Sequence, residues 1–402
     1  MRNIYVIVFL LAFLRAEDLN LNTNESESEE LLLTDIVYGH VGFFGKTNVL
    51  NKSSDDDYLV FSASAGLKYN LFNKVDLNIG VFGMTNILKS KYGDKYVQSK
   101  FVTNNAFIKY KDEYMDAMLF ELRAGRYKQN RDWLKHYIQG VSLDANYNWV
   151  NVWLDWASDA AFVNREQLSD FDVFKKNYNN EWLLTVGVDI KLFGVTLTPY
   201  FYFLNKNFWA AGGKLNADFP INDNWNTNTN ISYTELRSLS NGIYGGDREF
   251  NPINNGRSGI LWLDQEIKYS IDNIVTIFGL GFVQIWDSAF ELANIGNMSR
   301  FETLDYKDLN LIEPGGINNG DNSTNMFDAN TRTIYAFVGF RMDNFGLMFL
   351  GRNSAGVKIQ DSYSLSGKYH IIEGLYAGAV ITYMTENKIN KSFIKGYVEF
   401  SI

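Results

Sequence analysis

The residue types that could carry catalysis or hold a metal are scarce in this chain of 402 residues: three histidines, His40, His136 and His370, and no cysteine. No short ligand spacing joins the histidines, and without thiolates there is no zinc–cysteine site, iron–sulfur site, disulfide frame or acylated lipoprotein anchor. His136 lies four residues from Asp132. That acid–base pairing is too common to specify an active site, so no enzyme and no organic cofactor is expected. Asp55, Asp56 and Asp57 form an acidic run that could collect Ca²⁺, which prefers several carboxylate and carbonyl oxygens, with Asp321 and Asp328 a second choice. Adjacent acids also simply solvate a loop tip. Glu121, Arg123 and Asp144 are opposite charges set close together, which is the material for an electrostatic filter.

The elements that must position these groups follow from composition and period. The chain is 46% hydrophobic and rich in rings, with 24 Tyr, 30 Phe and 9 Trp, yet has only 4 Pro and a mean hydropathy of −0.19. A helical span needs about 20 consecutive apolar residues, and only the first segment approaches that. A formal charge of −9 without any basic run argues against a nucleic-acid partner.

Residues 1–16 have the layout of a secretory signal peptide: Arg2, the apolar run Ile4–Leu14 and the small Ala16 at the cut. Residues 17–35 are acidic, rich in Asn and Ser, and read as a flexible periplasmic segment. The domain proper is expected over 36–402, with no plug before Ile36. There the chain alternates with period 2, as where Phe61, Ala63, Ala65, Leu67 and Tyr69 oppose Ser62, Ser64, Gly66 and Lys68. The pattern predicts strands near 36–47, 58–70, 74–86, 100–110, 115–127, 137–147, 149–157, 181–191, 195–204, 207–218, 224–234, 259–270, 274–286, 331–342, 344–352, 357–369, 374–384 and 392–402.

Alternation alone does not separate a soluble sandwich from a membrane barrel, but the connections do. Short joins follow even-numbered strands and long ones follow odd-numbered strands, with Asn205–Lys206 the one exception. The expected fold is all-β: a single transmembrane antiparallel up-and-down β-barrel of about 18 strands in the bacterial outer membrane, with long extracellular loops and short periplasmic turns. Rings near strand ends, among them Tyr69, Trp149, Trp156, Trp182, Phe203, Trp209, Trp225, Tyr233, Trp262, Tyr269, Trp286 and Tyr383, suit the girdles at the two interfaces. Inward polar positions, including His40, Lys46, Lys68, Asp76, Lys109, Glu121, Arg123, Asp144, Asp155, Asp189, Lys214, Asp264 and Lys368, are the candidate pore lining.

The stretch Arg123–Gly140, with Gly125-Arg126-Tyr127 and Tyr137-Ile138-Gln139-Gly140, resembles the corresponding segment of the OprD-like porins, and of the Hof and major outer-membrane porins of the Campylobacter and Helicobacter group. The resemblance implies a channel for small hydrophilic solutes or ions in which the third extracellular loop dips into the lumen. Arg123, Arg126, Lys128 and Arg131 would then form the basic side of a constriction, facing Glu121 and Asp144. The last segment, with Phe400 two short of the terminus, resembles the C-terminal signal read by the barrel-assembly machinery. Outer-membrane lipid and lipopolysaccharide, and a homotrimeric partner, belong to the same expectation. The alternative is a surface adhesin or structural protein with a plugged lumen, motivated by the long join 287–330.

Overall fold

In hydrocarbon no water is available to the backbone, so every N–H and C=O must be paired within the protein, and strands achieve this only in a sheet without edges. The computed structural model has that form. It describes residues 37–50, 57–71, 73–88, 97–114, 118–134, 136–178, 180–239, 257–287, 326, 329–357 and 359–402. The strands are β1 (Val37–Leu50), β2 (Tyr58–Leu71), β3 (Val75–Leu88), β4 (Phe101–Tyr114), β5 (Met118–Lys128), β6 (Tyr137–Tyr147), β7 (Val150–Ala161), β8 (Leu183–Leu192), β9 (Val195–Leu204), β10 (Phe208–Pro220), β11 (Trp225–Ser238), β12 (Arg257–Ile271), β13 (Ile274–Trp286), β14 (Arg332–Met342), β15 (Phe345–Ala355), β16 (Ile359–Ile372), β17 (Leu375–Glu386) and β18 (Ile389–Ser401). Each pairs antiparallel with its neighbours in sequence, and β18 pairs with β1 through residues 392–401, closing one 18-stranded ring.

The joins after even-numbered strands are tight and carry the residues that tolerate left-handed backbone. Asn73, Asn148, Asp272 and Asp343 have positive φ, and Phe193–Gly194 turns with φ of 50° and 80°, the paired positive values of a type I′ hairpin. The same geometry appears at Asn387–Lys388, with φ of 47° and 72°. That join follows β17, and the join after β15 is also short, so three odd-strand joins are short and not one. Both strands beyond the expected ends of β15 and β17 simply continue pairing, which shortens the connection.

Parity places the apolar faces outward. Leu67, Tyr69, Ile79, Leu280, Phe349, Ile381 and Val398 are exposed large hydrophobics, while Ser62, Asp264, Ser364 and Lys395 on the alternate positions are buried. Trp225, Tyr233 and Trp286 lie on the outward face as girdle rings should. Trp262 does not. It is buried on the inward parity, and its Nε1 donates to the Tyr335 hydroxyl at 2.9 Å, which in turn donates to Asp264 Oδ2 at 2.6 Å.

The inward face is also less polar than the sequence pattern suggests. Ile260, Val283, Ile285, Met348, Leu350 and Val380 point inward and pack into one buried cluster with inward rings. Glycine makes room for two of those rings. A Cβ on Gly281 would lie 2.0 Å from the Tyr335 ring directly across the strand pair, and one on Gly187 would lie 2.2 Å from Trp153. Inward side chains thus lean on each other across strands instead of all lining water.

The outward assignment has a direct consequence at mid-strand. Leu280→Arg should destabilise the barrel by about 2–4 kcal/mol in urea titrations of protein folded into vesicles, because the guanidinium would enter hydrocarbon. Asn216→Lys, on the inward face of β10, should move the same transition little.

Candidate functional site

Two joins on the long-loop side fold back against the inner wall: L3, residues 129–136, and L4, residues 162–182, which includes the short helix α1 (Val173–Asn177). The sequence-predicted residues gather around L3. Arg131 turns back to the wall, where its Nη2 donates to both oxygens of Asp144 at 2.6 and 2.7 Å and its Nε donates to Asp155 Oδ2 at 3.3 Å. Its guanidinium also stacks on Trp153 at 4.8 Å. Burial alone would lower the pKa of Arg131; the nearby Asp155 and Asp144 carboxylates outweigh it and raise the group above its ordinary value.

Asp155 is fully buried and accepts from Gln129 Nε2 of the same loop and from Thr185 at 3.2 Å. At the far side of L3, Asp132 accepts from Lys214 of β10 at 2.7 Å, and its carbonyl takes the Tyr202 hydroxyl of β9. L3 is therefore fastened to β6, β7, β9 and β10. Asp132 is engaged with Lys214, while His136 packs edge-on against Phe162 at 4.6 Å, so the candidate acid–base pair is not an assembled unit.

Glu121 and Arg123 share the inward face of β5. Arg123 Nη2 donates to Glu121 Oε1 at 2.7 Å and its guanidinium lies over Phe107 and Tyr127 at 5.5 and 5.1 Å. Lys109 of β4 joins them, 3.9 Å from Glu121 and 2.6 Å from Asp76 of β3. The result is a row of alternating charge, Asp76, Lys109, Glu121 and Arg123, running across three strands. Glu121 and Asp144 are direct register partners on β5 and β6, so the cations also separate two carboxylates that would otherwise repel.

Arg126 and Lys128 stand elsewhere. The β5 register with β4 and β6 is unbroken, so they share the outward parity of Leu122 and Ala124. Arg126 donates to Gln139 at 2.9 Å and stacks on Phe171 of L4 at 4.6 Å. Of the four basic residues carried over by the motif, Arg123 and Arg131 alone belong to the inward cluster. Asp57 accepts from the Asn48 backbone N–H at 2.7 Å, a bond across the join of β1 and β2. Asp55, Asp56, Asp321 and Asp328 lie outside the described residues, as do the proposed signal peptide and acidic segment. Among the described residues no group of three acidic or histidine side chains is poised to hold a metal.

The wall formed by β7 to β11 is rich in amides. Asn216 Nδ2 donates to Asn228 at 3.3 Å and to Asn230 at 2.6 Å, and Asp189 accepts from Asn151 and Thr198 at 3.2 and 2.8 Å.

Sequence reasoning missed the L4 contacts. Arg165 and Glu166 at the tip of L4 reach β18, where Arg165 pairs with Glu399 and Glu166 with Lys395. The inward parity of Lys395 and Glu399 was readable from period 2; their partners, more than two hundred residues away in a long join, carried no periodic signal.

A family model, HP_OMP_2, described as "Putative outer membrane protein", matches residues 63–400. Solved structures with the same fold include OccAB4 of Acinetobacter baumannii, at 12% identity and a TM-score of 0.64, covering 91% of this chain and 97% of that one. OccAB1 of the same organism is 8% identical with a TM-score of 0.65 over 91% and 95% of the two chains. A BenF-like porin from Pseudomonas fluorescens Pf-5 is 8% identical with a TM-score of 0.65 over 91% and 98%. No curated protein sequence matches.

The clamp on L3 is open to test. Arg131→Ala leaves the buried Asp155 without its cation, a change worth about 3–5 kcal/mol for a buried pair. The expected outcome is a lower temperature for the heat-dependent shift in electrophoretic mobility, with new protease cleavage confined to L3.

Proposed function

This chain belongs to the HP_OMP_2 family and resides in the outer membrane, and from that premise we propose that it is a porin, giving small hydrophilic solutes and ions passive passage through the barrel. The observation that carries the reading is a closed ring of 18 strands whose inward face bears a row of paired charges and an amide wall. Eighteen strands enclose a space wide enough for water, so what remains open depends on what folds into it. L3 and L4 are the segments that narrow it, a reading supported by their bonds to the inner wall. The long joins face the cell exterior and the short turns the periplasm, the arrangement usual for bacterial outer-membrane barrels.

Charge preference follows from pairing. Arg123 lies against Glu121, Arg131 against Asp144 and Asp155, and Lys214 against Asp132, so neither sign dominates the candidate narrow zone. We assign the channel a weak charge preference, and not the strong anion selectivity that a bare basic cluster would give. The Gly125-Arg126-Tyr127 and Tyr137-Ile138-Gln139-Gly140 motifs support placing the chain with the OprD-like porins of the Hof type. Phe400 near the end of β18 supports delivery by the barrel-assembly machinery.

Planar bilayers test this reading. Purified protein should insert as discrete conductance steps with a reversal potential near zero in a KCl gradient. Glu121→Gln should shift that potential toward chloride, since it removes the carboxylate that pairs Arg123 while Lys109 stays on Asp76. Absence of any conductance would favour the adhesin reading instead.

A further inference from the structure

The tip of L4 is a built element. Val163 and Leu168 form an antiparallel bridge, and Asn164 Oδ1 accepts from the backbone N–H groups of Glu166 and Gln167 at 2.9 and 2.8 Å. The carbonyl of Leu168 accepts from the N–H groups of Gln98 and Ser99 at 2.9 and 3.3 Å, so the join after β3 braces the hairpin from behind. Leu168 itself is fully buried. Arg165 and Glu166 are therefore presented at a fixed place at the end of a braced hairpin.

That place is the far wall. From β7, which launches L4, the ring runs through β6, β5, β4, β3, β2 and β1 before reaching β18, so the hairpin crosses the lumen. Arg165 Nη2 donates to Glu399 Oε1 at 3.1 Å, its Nε donates to Oε2, and its guanidinium lies 4.4 Å from the Tyr397 ring. Glu166 accepts from Lys395 Nζ with both oxygens, at 3.1 and 3.0 Å, and also takes the Tyr58 hydroxyl. The two pairs are crossed: the loop offers cation then anion, and β18 offers Lys395 and Glu399 two pleat repeats apart on the same face, with Tyr397 between them.

The second of these pairs, Glu166 with Lys395, is also dry. The Lys395 side chain is fully buried and Glu166 almost so. Lys46 is the register partner of Lys395 on β1, so the Glu166 carboxylate enters a wall that carries two ammonium groups side by side. Withdrawing Glu166 would break an ion pair whose cation is fully buried, and a buried pair that loses a partner is strongly destabilised. Such a contact holds or releases as a unit; it does not slacken by degrees.

We propose that Arg165 and Glu166, docked on Glu399 and Lys395, are the positioning residues that hold L4 across the lumen and so set the size limit of the channel. This rests on the porin reading above. The solutes it governs are those too wide to pass beside the hairpin, whatever their charge, because the docking charges are consumed in the pairs.

The test compares the full-length wild type with R165A/E166A, with the near-isosteric R165Q/E166Q in case truncation impairs folding, and with the exchange variant R165E/E166K/K395E/E399K. Folding is followed by heat-dependent mobility, unit conductance in planar bilayers, and the reaction of Lys395 with an amine-directed acylating reagent by mass spectrometry. Both loop variants should show unit conductance raised about twofold as the hairpin leaves the lumen, with Lys395 newly reactive. The exchange variant should return to the wild-type conductance. A silent wild type with conducting loop variants would overturn the size-limit proposal together with the porin reading, the docked hairpin then being a plug. A conducting wild type whose loop variants keep the same conductance and a protected Lys395 would overturn it while leaving the porin reading intact. Silence in every variant would overturn both.

Discussion

Everything in this molecule follows from one requirement, that the backbone of β1 and β18 find each other. An open edge in hydrocarbon would leave a row of unpaired N–H and C=O groups, each costing several kcal/mol, so the sheet is viable only as a closed ring. The pairing of residues 40–50 with 392–401 supplies that closure. Closure in turn fixes parity for every strand: one face must meet lipid, and the other is left to enclose a space. Leu280 and Glu266 on neighbouring strands are then assigned opposite environments by position alone.

What fills the enclosed space is decided by charge and by small residues. The inward wall is held by cross-strand partners: the Asp76–Lys109–Glu121–Arg123 row, the Asn216–Asn228–Asn230 amides, and the Trp262–Tyr335–Asp264 chain. Isolated charges on a wet surface contribute little, whereas those buried beneath L3 and L4 are costly to orphan and so fix geometry. The same side chains that make the wall hydrophilic therefore also moor the loops. Arg131 illustrates the double use: a cation that looks available for solute in the sequence is held by two carboxylates and a ring.

The ring itself was legible from the amino-acid order because period 2 and turn residues are local signals. All 18 strands were expected, and the ends moved by at most a few residues, mostly where hairpins such as Asn387–Lys388 pair further than the alternation suggests. Glu121, Arg123 and Asp144 were rightly placed on the inward face for the same reason. Trp262 was taken for a girdle ring because aromatic identity outweighed its parity, which Asp264 and Glu266 already declared. Arg126 and Lys128 came with the motif, although alternation from Arg123 sets both outward. The docking of Arg165 and Glu166 on β18 had no local signature, since a tertiary contact between a join and a distant strand leaves no period behind.

A porin of this form encloses a water-filled path of limited width. Swelling of vesicles that contain the purified protein, in isotonic solutions of neutral sugars of increasing size, tests this most directly. Such a path should give rapid swelling with the smallest sugars, falling steeply as solute size rises. Vesicles that swell no faster than protein-free controls, even with the smallest sugar, would contradict it.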